Sequence, residues 1–313
     1  MTHENRKKAP RNRTRRCLAE DVTRAGRELL RVSGPVGVEN VENRVIWGDF
    51  FDVAPHMPRD FVNLAVVDPP YNLTKNYHGN TFLERDSTAY AAWFRRMLEG
   101  MVPMLRRDAS VYVCSDWRTS AIIFPIIETF FEVRNRITWE REKGRGAKNN
   151  WKNNTEDIWF CTVGKEYIFD VEAVKMCRRV LAPYRTENGS AKDWETGKDG
   201  KNYRLTHPSN FWSDITVPFW SMAENTDHPT QKPEKLIAKL ILASSRPGDM
   251  IFDPFLGSGT SAVVAKKLGR RFSGVELNEI YGCLAVERLR DAETDAGIQG
   301  YEDGVFWERN SGK

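Results

Sequence analysis

The sequence predicts an α/β protein built on a doubly wound, mostly parallel sheet. Short apolar runs rich in β-branched residues recur along the chain, each ending in Asp, Glu or Gly, as buried parallel strands do. Segments with apolar residues at helical spacing lie between many of these runs, and strand–helix alternation of this kind builds layered α/β sheets. A chain of 313 residues with 40% hydrophobic content is long enough for one such domain plus a substrate-recognition insertion.

The predicted strands are Arg44–Trp47, Leu64–Val67, Val111–Cys114, Arg136–Trp139, Ile158–Thr162, Met250–Phe252 and Phe272–Val275. The predicted helices are Tyr90–Leu105, Lys235–Ala243, Ser261–Leu268 and Glu279–Leu289, with Gly269 as a helix stop. From Cys177 to Asp227 the composition turns to Trp, Tyr, Asn, Gly and Lys with no sustained period. A structureless loop of that length is unusual in a compact domain, so an ordered recognition lobe is expected there.

The net charge is only +4, but its distribution is uneven. A basic run opens with Arg6, Lys7, Lys8, Arg11, Arg13, Arg15 and Arg16, and a second passes through Arg134, Arg136, Arg141, Lys143, Arg145, Lys148 and Lys152. Such runs suit phosphate contact, and for the first of them a solvated, partly disordered tail is the equal alternative. The five cysteines are odd in number and scattered, without zinc-knuckle spacing or a disulfide framework. No apolar run approaches the roughly 18 residues of a membrane span. These features predict a soluble protein of the reducing cytoplasm, with no metal.

Asp68-Pro69-Pro70-Tyr71 follows the apolar strand ending at Val67. Ligands gather at the carboxyl ends of strands in open α/β sheets. Two successive prolines remove two backbone donors and stiffen the turn. What remains is an acceptor-rich corner: the Asp68 carboxylate, carbonyl oxygens and the flat face of Tyr71. Such a corner suits an exocyclic amino group, whose nitrogen lone pair is delocalised into its ring. With both N–H bonds held by the Asp68 carboxylate and the Pro69 carbonyl, the nitrogen becomes more tetrahedral and its lone pair faces a methyl donor.

Asp253-Pro254-Phe255-Leu256-Gly257-Ser258-Gly259-Thr260 follows a second strand and opens a helix. Gly257 and Gly259 allow a tight turn with close ligand approach, and the helix start offers free N–H groups to a cofactor carboxylate. Glu276 ends the next strand, where an acid is placed for ribose hydroxyls. Asn278 belongs to the same candidate set. The pattern lacks the third glycine of a dinucleotide fingerprint and comes late in the chain, which argues against a nicotinamide enzyme.

With both motifs in view, the chain resembles the amino-methyltransferases of restriction–modification systems. Asp68–Tyr71 looks like their catalytic tetrapeptide and Phe255–Gly259 like their loop for S-adenosylmethionine (AdoMet). The order, catalytic motif first, is that of the circularly permuted β class. His228-Pro229-Thr230-Gln231-Lys232-Pro233 resembles a third motif, which lines the methionine moiety of AdoMet. The resemblance spans residues 44–290.

This resemblance implies a seven-stranded AdoMet-dependent methyltransferase sheet with its catalytic half (36–140) before its AdoMet half (228–313). A target-recognition region lies between them (141–227), and a basic segment precedes them (1–35). The implied cofactor residues include His228, Thr230, Lys232, Asp253, Ser258 and Thr260. Asp49 is either a contact to the cofactor adenine or a helix N-cap. The Asp at position 68 resembles adenine-N6 enzymes more than cytosine-N4 ones. Likeness over Trp139–Phe160, Asn210–Lys235 and Gly300–Asn310 points to GATC-specific relatives of the DpnA kind, some of which accept single strands. DNA, a homodimer and a cognate restriction endonuclease are the implied partners. An RNA base, a protein glutamine amide, and an AdoMet-sensing DNA-binding protein without catalysis are the competing readings.

A base inside a duplex cannot reach a buried methyl donor, so it must leave the stack. Tyr71 is the first candidate to stack on it, with Trp139, Trp151 and Trp159 behind. Lys143, Arg145, Lys148, Asn149 and Asn150 form a basic, amide-rich segment suited to base and phosphate contact. Lys75 lies in the segment Leu73–Arg85, expected as a lid after the catalytic turn.

Overall fold

A computed structural model describes residues 10–77, 79–141, 147–181, 184–197 and 199–309. Arg6, Lys7, Lys8, His78, Lys143 and Arg145 lie outside the described residues.

The centre is an eight-stranded sheet. In spatial order its strands are Arg44–Trp47, Arg271–Glu276, Met250–Asp253, Val62–Val67, Leu105–Ser115, Thr155–Thr162, Glu132–Glu140 and Phe211–Trp212. All seven predicted strands are present, most of them longer than the apolar run that announces them, and the eighth is a two-residue edge strand. The first five are mutually parallel. Thr155–Thr162 corrects the expectation of parallel strands, since it runs antiparallel to both of its neighbours. A buried apolar run reads alike in either direction, so the sequence does not encode this reversal.

Side-chain alternation along the central strands feeds two cores. Leu64 and Val66 join one, with the helices Glu234–Ser244, Thr260–Lys267 and Glu279–Asp291. Ala65 and Val67 join the other, with Ser87–Met101 and Trp117–Ile127. Helices on both faces make the sheet doubly wound. The first helix of the second layer is capped by Asp86, whose carboxylate accepts from the Ala89 N–H. The sequence does not announce Trp117–Ile127, because its run is apolar on nearly every side and contains Pro125. Asp116 caps it by accepting from the Thr119 N–H.

The irregular stretch is organised around a second, five-stranded sheet. Met176–Arg179, Glu195–Thr196 and Asn202–Thr206 join Tyr301–Glu302 and Val305–Trp307 from the end of the chain. The last residues thus pair with the segment 141–227 while also touching the half 228–313, where Lys235 Nζ donates to Trp307 O. The basic segment 1–35 includes a helix, Ala19–Ala25, packed on Glu279–Asp291 through an Arg24–Glu287 ion pair of 2.9 Å. Among the described residues, no helix is long and apolar enough to cross a membrane.

Candidate active site

Two turns far apart in sequence meet because their strands are neighbours. Val62–Val67 pairs in parallel with Met250–Asp253, Leu64 opposite Ile251 and Ala65 opposite Phe252. The turns leaving their carboxyl ends, Asp68–Tyr71 and Pro254–Gly257, therefore open into one cavity of about 420 Å³. Asp68, Pro69, Pro70, Tyr71, Asp49, His228, Thr230, Phe255, Gly257, Glu276, Asn278 and Lys75 all line it.

The Asp68 corner is held by a buried charge cluster. Lys232 Nζ donates to both Asp68 oxygens at 2.7 Å each, and it lies 3.3 Å from Glu156 Oε2. Arg141 closes the cluster at 2.7 Å from Glu156 Oε1. The Tyr71 hydroxyl lies 3.1 Å from Asp68 Oδ1 and 3.1 Å from Glu156 Oε2, donating to one carboxylate at a time. Burial, then the nearby Asp68 and Glu156 charges, hold the Tyr71 hydroxyl well above its ordinary pKa, so it stays a donor. Burial opposes the charge on Lys232, but Asp68 and Glu156 outweigh it and raise its pKa. Burial likewise opposes the Glu156 charge, and Lys232 and Arg141 outweigh it in turn, leaving that carboxyl below its ordinary value.

The two proline carbonyls differ. Pro70 O accepts from the buried Tyr90 hydroxyl at 3.0 Å. Among the described residues, none donates to the Pro69 carbonyl. The corner therefore offers one uncommitted carbonyl beside a carboxylate whose side chain keeps 21% exposure.

The opposite wall is built around Gly257 and Glu276. Gly257 has a left-handed φ of 56°, and a Cβ there would stand 3.1 Å from His228 Nε2. Its N–H donates to Glu276 Oε2 at 2.7 Å, while the Asn278 N–H donates to Oε1 at 2.8 Å. Burial pushes the Glu276 carboxyl up to about 7, against those backbone donors. The Asn278 side chain caps the helix Glu279–Asp291 and also reaches Tyr77 O at 3.1 Å. Asp49 takes the helix N-cap role, accepting from the Phe51 N–H at 2.8 Å at the start of Phe50–Val53, and it also lines the cavity.

Five of the expected cofactor residues stand behind the wall rather than on it. Lys232 serves the Asp68 cluster. Asp253 is buried, accepting from Ser261 Oγ and the Phe255 N–H. The Arg288 guanidinium takes the Ser258 carbonyl at 2.8 Å and Thr260 Oγ1 at 3.1 Å. Gly259 packs against Ala285, where a Cβ would come within 2.6 Å. Asp253, Ser258, Gly259 and Thr260 thus shape the turn and the helix start.

Of the nucleic-acid candidates, Trp139 is core, donating to Ile215 O at 3.1 Å, and Trp159 donates to Ser120 Oγ at 2.9 Å. Trp151 is 96% exposed, and Lys148, Asn149 and Asn150 beside it are also exposed. Lys75 sits on the hairpin Lys75–Tyr77/Asn80–Phe82, inside the segment expected as a lid. Glu156 and Tyr90 carry no sequence signal as site residues, and Arg141, expected within a basic run suited to phosphate, is paired with Glu156. Each acts through a partner distant in sequence, and a lone Glu inside a strand carries no motif.

A family model described as DNA methylase, of N6/N4 methyltransferases, matches residues 62–287. The chain is 30% identical over 262 residues to the DNA adenine methyltransferase YhdJ of Escherichia coli K12, covering 82% of this chain and 85% of that protein. It is 29% identical over 265 residues to the type II methyltransferase M.HpaI of Haemophilus parainfluenzae, covering 84% and 77%. Among solved structures it is similar to the cytosine-N4-specific PvuII DNA methyltransferase, with a TM-score of 0.58, 17% identity and coverage of 81% and 92%. It is also similar to the M1.HpyAVI–SAM complex, with a TM-score of 0.51, 22% identity and coverage of 78% and 98%. Fold, cavity and family match agree, and this chain belongs to the DNA methylase family of N6/N4 methyltransferases.

Proposed function

We propose that this protein transfers a methyl group from AdoMet to the exocyclic amino group of a DNA base, with N6 of adenine as the target. The observation that carries this reading is the shared cavity, which sets the Asp68–Tyr71 acceptor corner opposite the Gly257–Glu276 wall.

The residues present fit the cofactor. A cavity of about 420 Å³ is of the size that encloses small-molecule ligands. Glu276 has acceptor capacity left for a ribose hydroxyl beyond the backbone donors of Gly257, Leu277 and Asn278. Phe50, Val275 and Phe255 give apolar surface for a purine, and the Asp68 carboxylate faces a space suited to a cation. Bound AdoMet supplies an electrophilic methyl group on a sulfonium.

The protein's part is orientation. The Asp68 carboxylate and the Pro69 carbonyl take the two N–H bonds of the amine and turn its lone pair into the cavity. Lys232 and Tyr71 hold Asp68 in that pose from behind. The methylated nitrogen is strongly acidic and sheds its proton readily, so Asp68 needs to be a placed acceptor rather than a strong base. The Tyr71 ring, on the cavity wall, offers stacking to the extruded base, worth about 1–3 kcal/mol.

Adenine is favoured by Asp at position 68 and by the name of one relative that is 30% identical, a DNA adenine methyltransferase. The type II names of other relatives support a role beside a restriction endonuclease. The test incubates the protein with methyl-labelled AdoMet and DNA, RNA or protein, then digests the DNA to nucleosides. Label in N6-methyldeoxyadenosine is expected. Label in N4-methyldeoxycytidine overturns the adenine assignment, and label only in RNA or protein overturns the DNA assignment. Methylation-sensitive nucleases applied to treated plasmid then read the target, GATC being the first sequence to try.

A further inference from the structure

We infer that the N-terminal arm and the adjoining Phe219–Trp220 pair form a second binding surface for an unpaired DNA strand beside the target base. This rests on the DNA-methylating reading above. The arm, residues 10–18, lies outside the residues 62–287 that the family model matches.

The arm is fastened at a specific place. The Arg13 N–H donates to Trp220 O at 2.6 Å, the Arg15 N–H to Asn225 O at 2.9 Å, and the Asp227 N–H to Arg15 O at 3.1 Å. Arg15 pairs with Thr226 as a parallel bridge, and its guanidinium is ion-paired with Asp291. Asp227 immediately precedes His228, which lines the cavity. The arm is therefore laid along the strut that carries one wall of the site.

Its arginines divide by role. Arg15 and Arg24 are spent on acids of the helix Glu279–Asp291. Arg11, Arg13 and Arg16 are exposed and have no acidic partner among the described residues. Beside Arg13, whose N–H is bonded to Trp220 O, Phe219 and Trp220 are 45% and 50% exposed, two consecutive aromatic residues left in solvent. Cationic side chains next to open aromatic faces suit a strand that presents phosphates and unstacked bases together, whereas duplex DNA keeps its base faces stacked. Charge complementarity and the aromatic pair thus select the unpaired strand.

The experiment measures binding of fluorescent single-stranded and duplex oligonucleotides, across salt concentrations, to the full chain. The variants are Arg11→Ala/Arg13→Ala/Arg16→Ala, Trp220→Ala and Trp220→Phe. The triple variant is expected to bind single strands at least about tenfold more weakly, with a salt slope lower by roughly 2, near 0.7 per phosphate contact. Trp220→Ala is expected to weaken single-strand binding by about fivefold to a hundredfold and leave duplex binding unchanged, while Trp220→Phe keeps the affinity. Melting temperature and AdoMet affinity should match the wild type in all three. Unchanged single-strand affinity and slope in the triple variant overturn the proposal, as does an equal loss on duplex and single strand in Trp220→Ala. Wild-type protein that methylates DNA while the variants bind normally sinks this surface alone. Wild-type protein that neither binds nor methylates DNA sinks the functional reading as well.

Discussion

Lys232 Nζ stands 2.7 Å from each oxygen of the Asp68 carboxylate, across 164 residues of sequence. The pair does not withdraw Asp68 from the cavity. Asp68 lines the cavity with 21% of its side chain exposed, whereas Lys232, at 7%, lies behind. Glu156 and Tyr71 complete the support. The HPTQKP segment thus serves two sites at once, with His228 and Thr230 on the cavity wall and Lys232 beneath the acceptor corner.

Removing that support should cost turnover more than cofactor binding. Lys232→Met leaves the Asp68 and Glu156 carboxylates without their shared cation, and breaking a buried pair costs about 3 kcal/mol of stability. In steady-state assays kcat is expected to fall about a hundredfold, with AdoMet affinity within a few-fold of wild type. Wild-type kcat in a folded Lys232→Met protein would remove Lys232 from this role.

Cofactor affinity should depend on pH through Glu276. Its carboxyl is pushed up to about 7 by burial, and its ionised form is the better acceptor for ribose hydroxyls. Calorimetric titration should show AdoMet binding strengthening from pH 6 to pH 8. Glu276→Gln should bind roughly tenfold or more weakly at pH 8, with the pH dependence flattened.

Asp253 should leave a mark on stability instead. Burial raises its carboxyl to about 7, above the unfolded value, so the folded state holds the proton longer than the unfolded chain. Its contribution is fully present below the unfolded pKa and is lost as pH rises through about 7. Urea unfolding should show stability declining from pH 5 to pH 8. In Asp253→Asn the decline should be shallower, leaving the shares that Glu276 and Glu224, whose carboxyls burial also raises to about 7, contribute by the same sign.

Gly259 tests the turn that opens the helix Thr260–Lys267. Its φ is +83°, and an added Cβ would meet the Ala285 Cβ at 2.6 Å. Gly259→Ala should destabilise the protein by about 1–3 kcal/mol in thermal or urea melts, since backbone strain and overpacking act together. A neutral effect would show that the turn and the helix Glu279–Asp291 can separate at low cost.

The strands that position the site were legible because each is a short apolar run ending at a motif, as Val62–Val67 ends at Asp68. The meeting of the two motifs followed from family order rather than from pattern, since strand adjacency is a long-range property. What escaped was nonlocal or ambiguous in period. The reversal of Thr155–Thr162 places Glu156 at the catalytic end of the sheet, and nothing in an apolar run signals it. Trp117–Ile127 hid behind Pro125. Glycine-rich turns serve both ligand approach and helix packing, and the sequence does not separate the two: Gly259 packs on Ala285 while Arg288 donates to the Ser258 carbonyl and Thr260 Oγ1. The tail strand Val305–Trp307 found its partner in Met176–Arg179, more than a hundred residues earlier.

The proposed transfer requires Asp68 to act at the amine while the cofactor is held elsewhere on the cavity wall. Single-turnover methyl transfer by Asp68→Ala, at saturating AdoMet and DNA, tests it most directly. The predicted result is a rate loss of about a thousandfold or more, with AdoMet and DNA affinities within a few-fold of wild type. Transfer at the wild-type rate would contradict it.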